Sequence, residues 1–199
     1  MDPFLQAKYK WLFAFFDYNN NGSIEKSDFN QRAERASTAV LEHFKHQENC
    51  EEMLNKYYES IKKSQISTYG KFFEELLKTI DLAGDNKISI EEWLIFCQKV
   101  KETVDTTEKL PKWFEDILTN YFNEVLDFNG NGKIEFYEMC FMGDAPIEVT
   151  WYCFDKLTDS NKIPLDLPLF IEMCTLYLST NDPQSKSRYI FGFTENETW

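Results

Sequence analysis

The feature that most constrains this chain is a twelve-residue segment, residues 127–138, which reads DFNGNGKIEFYE. Oxygen-bearing side chains recur at positions 1, 3, 5, 9 and 12 of this segment, and a glycine stands at position 6. A glycine reaches the positive φ of a sharp turn at little cost. Such spacing surrounds one ion with about six to eight oxygen atoms, which is the coordination that calcium prefers. The expected ligands are Asp127, Asn129, Asn131, the Lys133 carbonyl and Glu138.

Weaker copies of this loop begin at Asp17, Asp81 and Asp155. Apolar residues fall at three- and four-residue spacing on both sides of each copy, which is the pattern of one buried helix face. A repeated helix, cation loop and helix is the EF-hand unit. The sequence therefore predicts an all-α fold of four EF-hand units in two pairs, packed as one compact globule. Short two-stranded β-links should join paired loops at position 8, Ile24 with Ile88 and Ile134 with the region of Ile163.

The first loop, residues 17–28, keeps the donor set but ends in aspartate instead of glutamate. Because the aspartate arm is one methylene shorter, it grips a large ion less readily with both oxygens. We therefore expect this loop to accept Mg²⁺ as well as calcium. Its expected donors are Asp17, Asn19, Asn21, the Ser23 carbonyl, Glu25 and Asp28.

The second loop, residues 81–92, is imperfect. Ala83 at position 3 supplies no oxygen, and Asn86 replaces the glycine at position 6. Asparagine tolerates left-handed geometry, so the turn is expected to survive. Two interpretations stay open: a weak calcium site completed by water, or a loop that serves only to pair with its partner. The expected ligands are Asp81, Asp85, the Lys87 carbonyl and Glu92.

The fourth loop, counted from Asp155, has Leu157 at position 3, and Pro164 and Pro168 interrupt the segment after it. We expect no ion there. The chain divides into an N-terminal pair, residues 1–104, with a helical insertion at about 41–68, and a C-terminal pair, residues 105–199. The C-terminal pair ends in an aromatic tail that is too apolar for a free terminus, and we expect it to pack into a groove of the protein. Its apolar residues are Tyr189, Ile190, Phe191 and Phe193.

The formal net charge of −13 argues against nucleic-acid phosphates and anionic membranes as partners. The first residues show no signal peptide, and no apolar run of eighteen residues provides a membrane anchor. The five cysteines form no C-x-x-C pair and are expected to be reduced thiols. These features predict a cytoplasmic monomer. No Gly-rich phosphate loop or nucleophile elbow occurs, so we expect no enzymatic activity.

Several segments resemble the invertebrate sarcoplasmic calcium-binding proteins and their neuronal relative calexcitin. Residues 28–35 are similar to the former, and residues 91–94, 110–114, 154–159 and 179–192 to the latter. The resemblance covers nearly the whole chain. It implies four EF-hands, of which three usually function and the fourth is degenerate, in a compact globule. Ala83 departs from the pattern at the second loop.

Three functions remain open from the sequence. An intracellular calcium buffer, binding about three ions, is favoured because only 5 methionines accompany 18 phenylalanines, whereas open sensors expose a Met-rich groove. The resemblance to calexcitin implies a second possibility, a sensor that regulates an ion channel or another protein target. The third is a luciferin-binding or photoprotein-like carrier, although the histidine and the proline expected near the end of a photoprotein are both missing.

Overall fold

The structure is a computed structural model that describes residues 1–44, 51–142 and 145–192. Across these ranges the fold is all-α, with two small antiparallel β-links, as the sequence predicts. The helices are α1 (Pro3–Phe16), α2 (Lys26–Phe44), α3 (Glu51–Ile80), α4 (Ile90–Thr107), α5 (Lys112–Tyr121), α6 (Phe136–Met142), α7 (Ile147–Thr158) and α8 (Leu167–Ser179). The strands are β1 (Ser23–Ile24), β2 (Ile88–Ser89), β3 (Lys133–Ile134) and β4 (Leu165–Asp166).

Side-chain caps set where the helices begin. The Asp2 carboxylate accepts hydrogen bonds from the N–H groups of Phe4 and Leu5 at the start of α1. At the start of α4, Ser89 and Glu92 form a reciprocal capping box. Each cap satisfies donors that the first helical turn leaves without a partner. These caps fix the points at which the loops pass into their helices.

The insertion before the second loop is helical where the structure describes it. Its first residues end α2, and α3 begins at Glu51 and continues as one helix of 30 residues to the second loop. Residues 45–50 lie outside the described part of the chain.

Each β-link joins two loops. Ile24 lies opposite Ile88, as expected, and Ile134 lies opposite Leu165, which is in the expected region but two residues beyond Ile163. The difference arises because α7 continues to Thr158 and the next three residues are left-handed, so the chain reaches the strand two residues later.

Aromatic rings fill the core between the two halves. Phe16 stacks on Phe29 at 5.7 Å between ring centroids and meets Trp93 edge-on at the same distance. Phe72 of α3 packs on Tyr121 of α5 at 5.0 Å, which joins the two EF-hand pairs. Aromatic side chains bury large apolar areas with few rotatable bonds, and this favours a core that does not rearrange easily.

A buried lysine also connects the two halves. Lys8 of α1 is 1% exposed, and its ammonium donates hydrogen bonds to the carbonyls of Tyr177 and Thr180 at the end of α8, at 2.6 and 2.7 Å. Burial, with the nearby Arg188, lowers the pKa of Lys8 to about 7. The point of division after residue 104 falls inside α4, which packs on both α1 and α8. The two EF-hand pairs are therefore in close contact, and the boundary after residue 104 stays a prediction.

The C-terminal tail packs against the protein, as expected. After α8 the chain forms a short 3₁₀ helix, Lys186–Phe191, whose last three residues are buried. The Phe191 ring meets Phe15 and Tyr177 edge-on, at 5.7 and 5.1 Å, and its carbonyl accepts the indole N–H of Trp11 at 2.8 Å. Phe193 lies outside the described residues.

Among the described residues, no helix is long and apolar enough to cross a membrane. The four cysteines that the structure describes are free thiols.

Candidate metal centres

The first and third loops share one backbone conformation. Positions 4 and 6 have positive φ in both: 55° at Asn20 and 88° at Gly22, and 69° at Gly130 and 85° at Gly132. A residue with a Cβ is strained at φ near +85°, which is why glycine stands at position 6 of both loops. The two turns direct the N–H groups of the loop towards its interior.

The acid at position 1 of each of these two loops is held by those N–H groups. The Asp127 carboxylate accepts hydrogen bonds from positions 5 and 6 of its loop, at 3.0 and 2.8 Å. Asp17 accepts from the same two positions of the first loop, at 3.0 and 2.9 Å. The carboxylates therefore face the loop centres.

The acid at position 12 closes each loop from the other side. The Glu138 carboxylate accepts N–H groups from positions 3 and 9, at 3.1 and 2.8 Å. Asp28 accepts from the same positions at 3.1 and 2.7 Å, although its side chain is shorter. Both oxygens of each closing acid are thus oriented by the backbone of the loop.

The donor set of these loops fits a divalent cation. Asp17, Asp28, Asp127 and Glu138 are between 0% and 7% exposed. Burial is the main cause that raises the pKa of Asp28 and that of Glu138. The carboxylate at position 1 of the same loop, Asp17 or Asp127, raises each pKa further because like charges face each other. A bound divalent cation would neutralise both. Buried carboxylates are costly without such a partner.

The second loop has the same frame in a more open form. Asp81 accepts N–H groups from positions 4, 5 and 6, and Asn86 adopts a φ of 64°, so asparagine does form the turn expected of it. Burial opposes ionisation of Glu92, but N–H groups of its loop lower the pKa of that carboxyl overall. Asp81 and Glu92 are half-buried, whereas the corresponding acids of the first and third loops are buried, and Ala83 is exposed.

The fourth loop lies three residues later than the sequence predicts. Leu165 is opposite Ile134, which stands at position 8 of its own loop. Counting from Leu165 places Thr158 at position 1 and Leu169 at position 12, and neither carries a carboxylate. The geometry therefore supports the expectation that this loop holds no ion.

Two aspartates near the fourth loop do not lie at positions 1 or 12 of that loop. Asp155, taken from the sequence as the first ligand position, lies inside α7. Asp166, which sequence reasoning overlooked, caps α8 by accepting the N–H of Leu169 at 3.0 Å. Position 9 is also the cap in the second loop, where Ser89 accepts the N–H of Glu92 at 3.3 Å.

The acids at position 9 of the first and third loops both pair with a lysine. Glu135 contacts Lys133 of its own loop at 3.1 Å, whereas Glu25 contacts Lys87 of the second loop at 2.8 Å. The lysine is the main reason that the pKa of each glutamate lies below its usual value. The sequence gives no sign that Lys87 reaches the first loop, because 62 residues separate it from Glu25.

Two cavities bear on the binding of a small molecule. The cavity in the aromatic core, between Phe16, Trp93 and Tyr121, is only about 20 Å³. A larger one of about 670 Å³ lies towards the surface, between α1, α7 and the C-terminal tail. Trp11 and Phe191 form part of its wall.

Comparison with known proteins agrees with this geometry. A model of the EF-hand domain pair matches residues 71–142, and an EF-hand model matches residues 10–31. The matched ranges contain the first three loops. The chain contains EF-hand units. Among curated relatives, this EF-hand protein is 25% identical to the sarcoplasmic calcium-binding proteins I, III and IV of Branchiostoma lanceolatum, over 87% of its own length and 88% of theirs.

Solved structures show the same fold. A sarcoplasmic calcium-binding protein from amphioxus superposes with a TM-score of 0.65 at 22% identity, covering 96% of this chain and 98% of the other. A coelenterazine-binding protein from Renilla muelleri gives a TM-score of 0.61 at 15% identity, covering 96% and 99%. At these identities, the two similarities describe the fold alone.

Proposed function

We propose that this EF-hand protein is an intracellular calcium buffer that binds about three ions, at its first, second and third loops. One observation carries the proposal: the first and third loops each hold two inward-facing, buried carboxylates whose oxygens are oriented by loop N–H groups. Titration calorimetry on the calcium-free protein tests it directly. We expect about three ions per chain, and a chain that takes up no calcium would contradict the proposal.

The first loop is proposed to accept Mg²⁺ as well. The Asp28 side chain is one methylene shorter than that of Glu138, so it reaches a large ion less readily with both oxygens, and this suits a smaller ion with six ligands. Titration of the calcium-free protein with Mg²⁺ should fill one site, and the absence of binding would contradict this assignment.

Replacing Asp81 with asparagine decides whether the second loop binds an ion. We expect the number of bound calcium ions to fall by one, because this change removes one of the three acidic ligands expected in a loop that has no donor at Ala83. Asp116→Asn is the matched control, since Asp116 lies on α5 and pairs with Lys112 at 2.8 Å. If Asp81→Asn leaves the ion count and the binding heats unchanged, the second loop only supports its partner.

The buffer function is favoured over an open sensor because the apolar C-terminal tail packs against the protein's own helices. Tyr189, Ile190 and Phe191 of the tail are buried against the helices, and closely packed aromatic rings fill the core. We expect the fluorescence of a dye that binds apolar surface to change by less than about twofold when calcium is added. A large rise would favour a sensor that regulates an ion channel or another target.

A small-molecule carrier is the second candidate, favoured by the cavity of about 670 Å³ near Trp11. Ligand sites commonly enclose about 300 to 1,000 Å³. The core cavity of about 20 Å³ is far too small for this role. A titration with coelenterazine, followed by tryptophan fluorescence, tests the idea; a flat titration removes it.

A further inference from the structure

The β-link between the first two loops places one residue of each loop opposite the other. Ser23 pairs with Ser89 and Ile24 with Ile88 in an antiparallel register, so the next positions to meet are Glu25 and Lys87. Their side chains do meet, with the Lys87 ammonium 2.8 Å from the Glu25 carboxylate. A position-9 acid of the first loop thus contacts a cation supplied by position 7 of the second loop.

Glu25 is also held from within its own loop. Its carboxylate accepts hydrogen bonds from the Ser23 hydroxyl at 3.0 Å and from the Asn21 side-chain amide at 3.4 Å. Asn21 is an expected ligand at position 5, and Ser23 offers its carbonyl at position 7. Glu25 therefore lies beside the expected donors of the first loop, and Lys87 contacts the same carboxylate oxygen that these two groups contact.

The second pair of loops lacks this arrangement. The register places Pro164 opposite Glu135, and proline carries no charge. Glu135 pairs instead with Lys133, which belongs to the same loop. A cation from the partner loop is thus a feature of the first loop and not of the third.

We propose that Lys87 sets the calcium affinity of the first loop from the second loop. This inference rests on the proposed function, because it concerns the same calcium sites. The ammonium neutralises Glu25 and competes with an ion for that carboxylate, and its own positive charge repels an ion in the first loop. Both effects weaken calcium binding at the first loop.

The same lysine couples the two loops. Its backbone carbonyl is an expected ligand at position 7 of the second loop, so an ion bound there would fix the strand from which the Lys87 side chain extends. By linkage, an ion in the first loop changes the affinity of the second loop by the same factor.

Replacing Lys87 with methionine tests the proposal, because methionine keeps the backbone carbonyl and most of the side-chain length but removes the charge. The change is made in the full chain carrying Asp81→Asn and Glu138→Gln, which leaves the first loop as the main calcium site. We expect the calcium dissociation constant to fall about three- to fivefold in low salt, which is the upper part of the scale of one partly exposed charge pair. The effect should shrink as salt is added.

Lys26→Met is the matched control. Lys26 stands at position 10 of the first loop and carries the same charge, but its ammonium pairs with Glu74 at 3.4 Å and not with Glu25. We expect its dissociation constant to stay within about twofold of the parent. An equal gain from both variants would show an effect of net charge alone and would overturn the proposal, as would no gain from Lys87→Met.

Two further measurements separate the contact from other effects. In the Glu25→Gln background, Lys87→Met should improve affinity by a smaller factor, and an undiminished gain would contradict a role through Glu25.

Without calcium, the ammonium signal of Lys87 in lysine-labelled NMR spectra should shift on Glu25→Gln, and an unchanged signal counts against the pairing. If the parent protein takes up no calcium while this shift is seen, the proposed function fails and the contact stands.

Discussion

Replacing Glu138 with glutamine is expected to remove one calcium ion from the bound count, through a loss of affinity at the third loop of at least about 100-fold. Losing even an outer partner of a metal ligand typically costs about 10- to 100-fold. Glu138 is 1% exposed and is the acid that closes the third loop, with its oxygens oriented by N–H groups of positions 3 and 9. Glutamine keeps the shape of the side chain but supplies one neutral oxygen in place of a carboxylate.

The measurement is titration calorimetry beside the parent protein, with Glu148→Gln as the control. This substitution is the same chemical change, made at an exposed glutamate in the first turn of α7. We expect the control to bind as many ions as the parent, with the same heats. An unchanged ion count for Glu138→Gln would mean that the third loop does not use its closing acid as a ligand.

Replacing Phe191 with alanine is expected to lower the free energy of unfolding by about 3 to 5 kcal/mol. Phe191 is 9% exposed and packs on Phe15 and Tyr177, which belong to different halves of the chain. Removing the ring leaves a void where the tail contacts both halves. Because the larger cavity borders this ring, the variant should also bind more of a dye that reports apolar surface.

Urea unfolding in excess calcium measures this change, and Ile147→Ala provides the comparison. Ile147 is 61% exposed on α7, so its truncation should cost no more than about 0.5 kcal/mol. A loss of similar size from the two variants would show that the tail contributes no more than an exposed side chain. The closed, buffer-like interpretation would then lose its main support.

The helices and the first three loops can be predicted from local sequence. The apolar spacing before Asp17 predicts a helix from Pro3 to Phe16, and α1 has these bounds. Loop conformation is also local, because glycine or asparagine at position 6 is enough to form the turn, as Asn86 shows. Periodicity and turn chemistry act over a few residues, so they can be read from the chain alone.

The predicted position of the fourth loop is wrong because its register depends on a distant strand. Asp155 resembles a first ligand, but α7 continues past it and the pairing of Leu165 with Ile134 sets the true register. The left-handed run from Asp159 to Asn161 accommodates the change. Aspartate and asparagine tolerate that conformation, but the sequence does not show that the distant strand requires it here.

The third loop shows a second limit. The sequence predicts one helix from about Pro111 to Leu126. In the structure the α-helix ends at Tyr121, and residues 122–126 form a π-helical turn. The N–H of Asp127 then donates a hydrogen bond to the carbonyl of Phe122. Neither this turn nor the pairing of Lys87 with Glu25 can be predicted from local spacing. Both depend on packing between segments that are distant in sequence.

A crystal structure determined in excess calcium tests the central claim most directly. We expect an ion in residues 127–138, bound by Asp127, the Lys133 carbonyl and both oxygens of Glu138, and another in residues 17–28. A third loop that holds only solvent under these conditions would contradict the account.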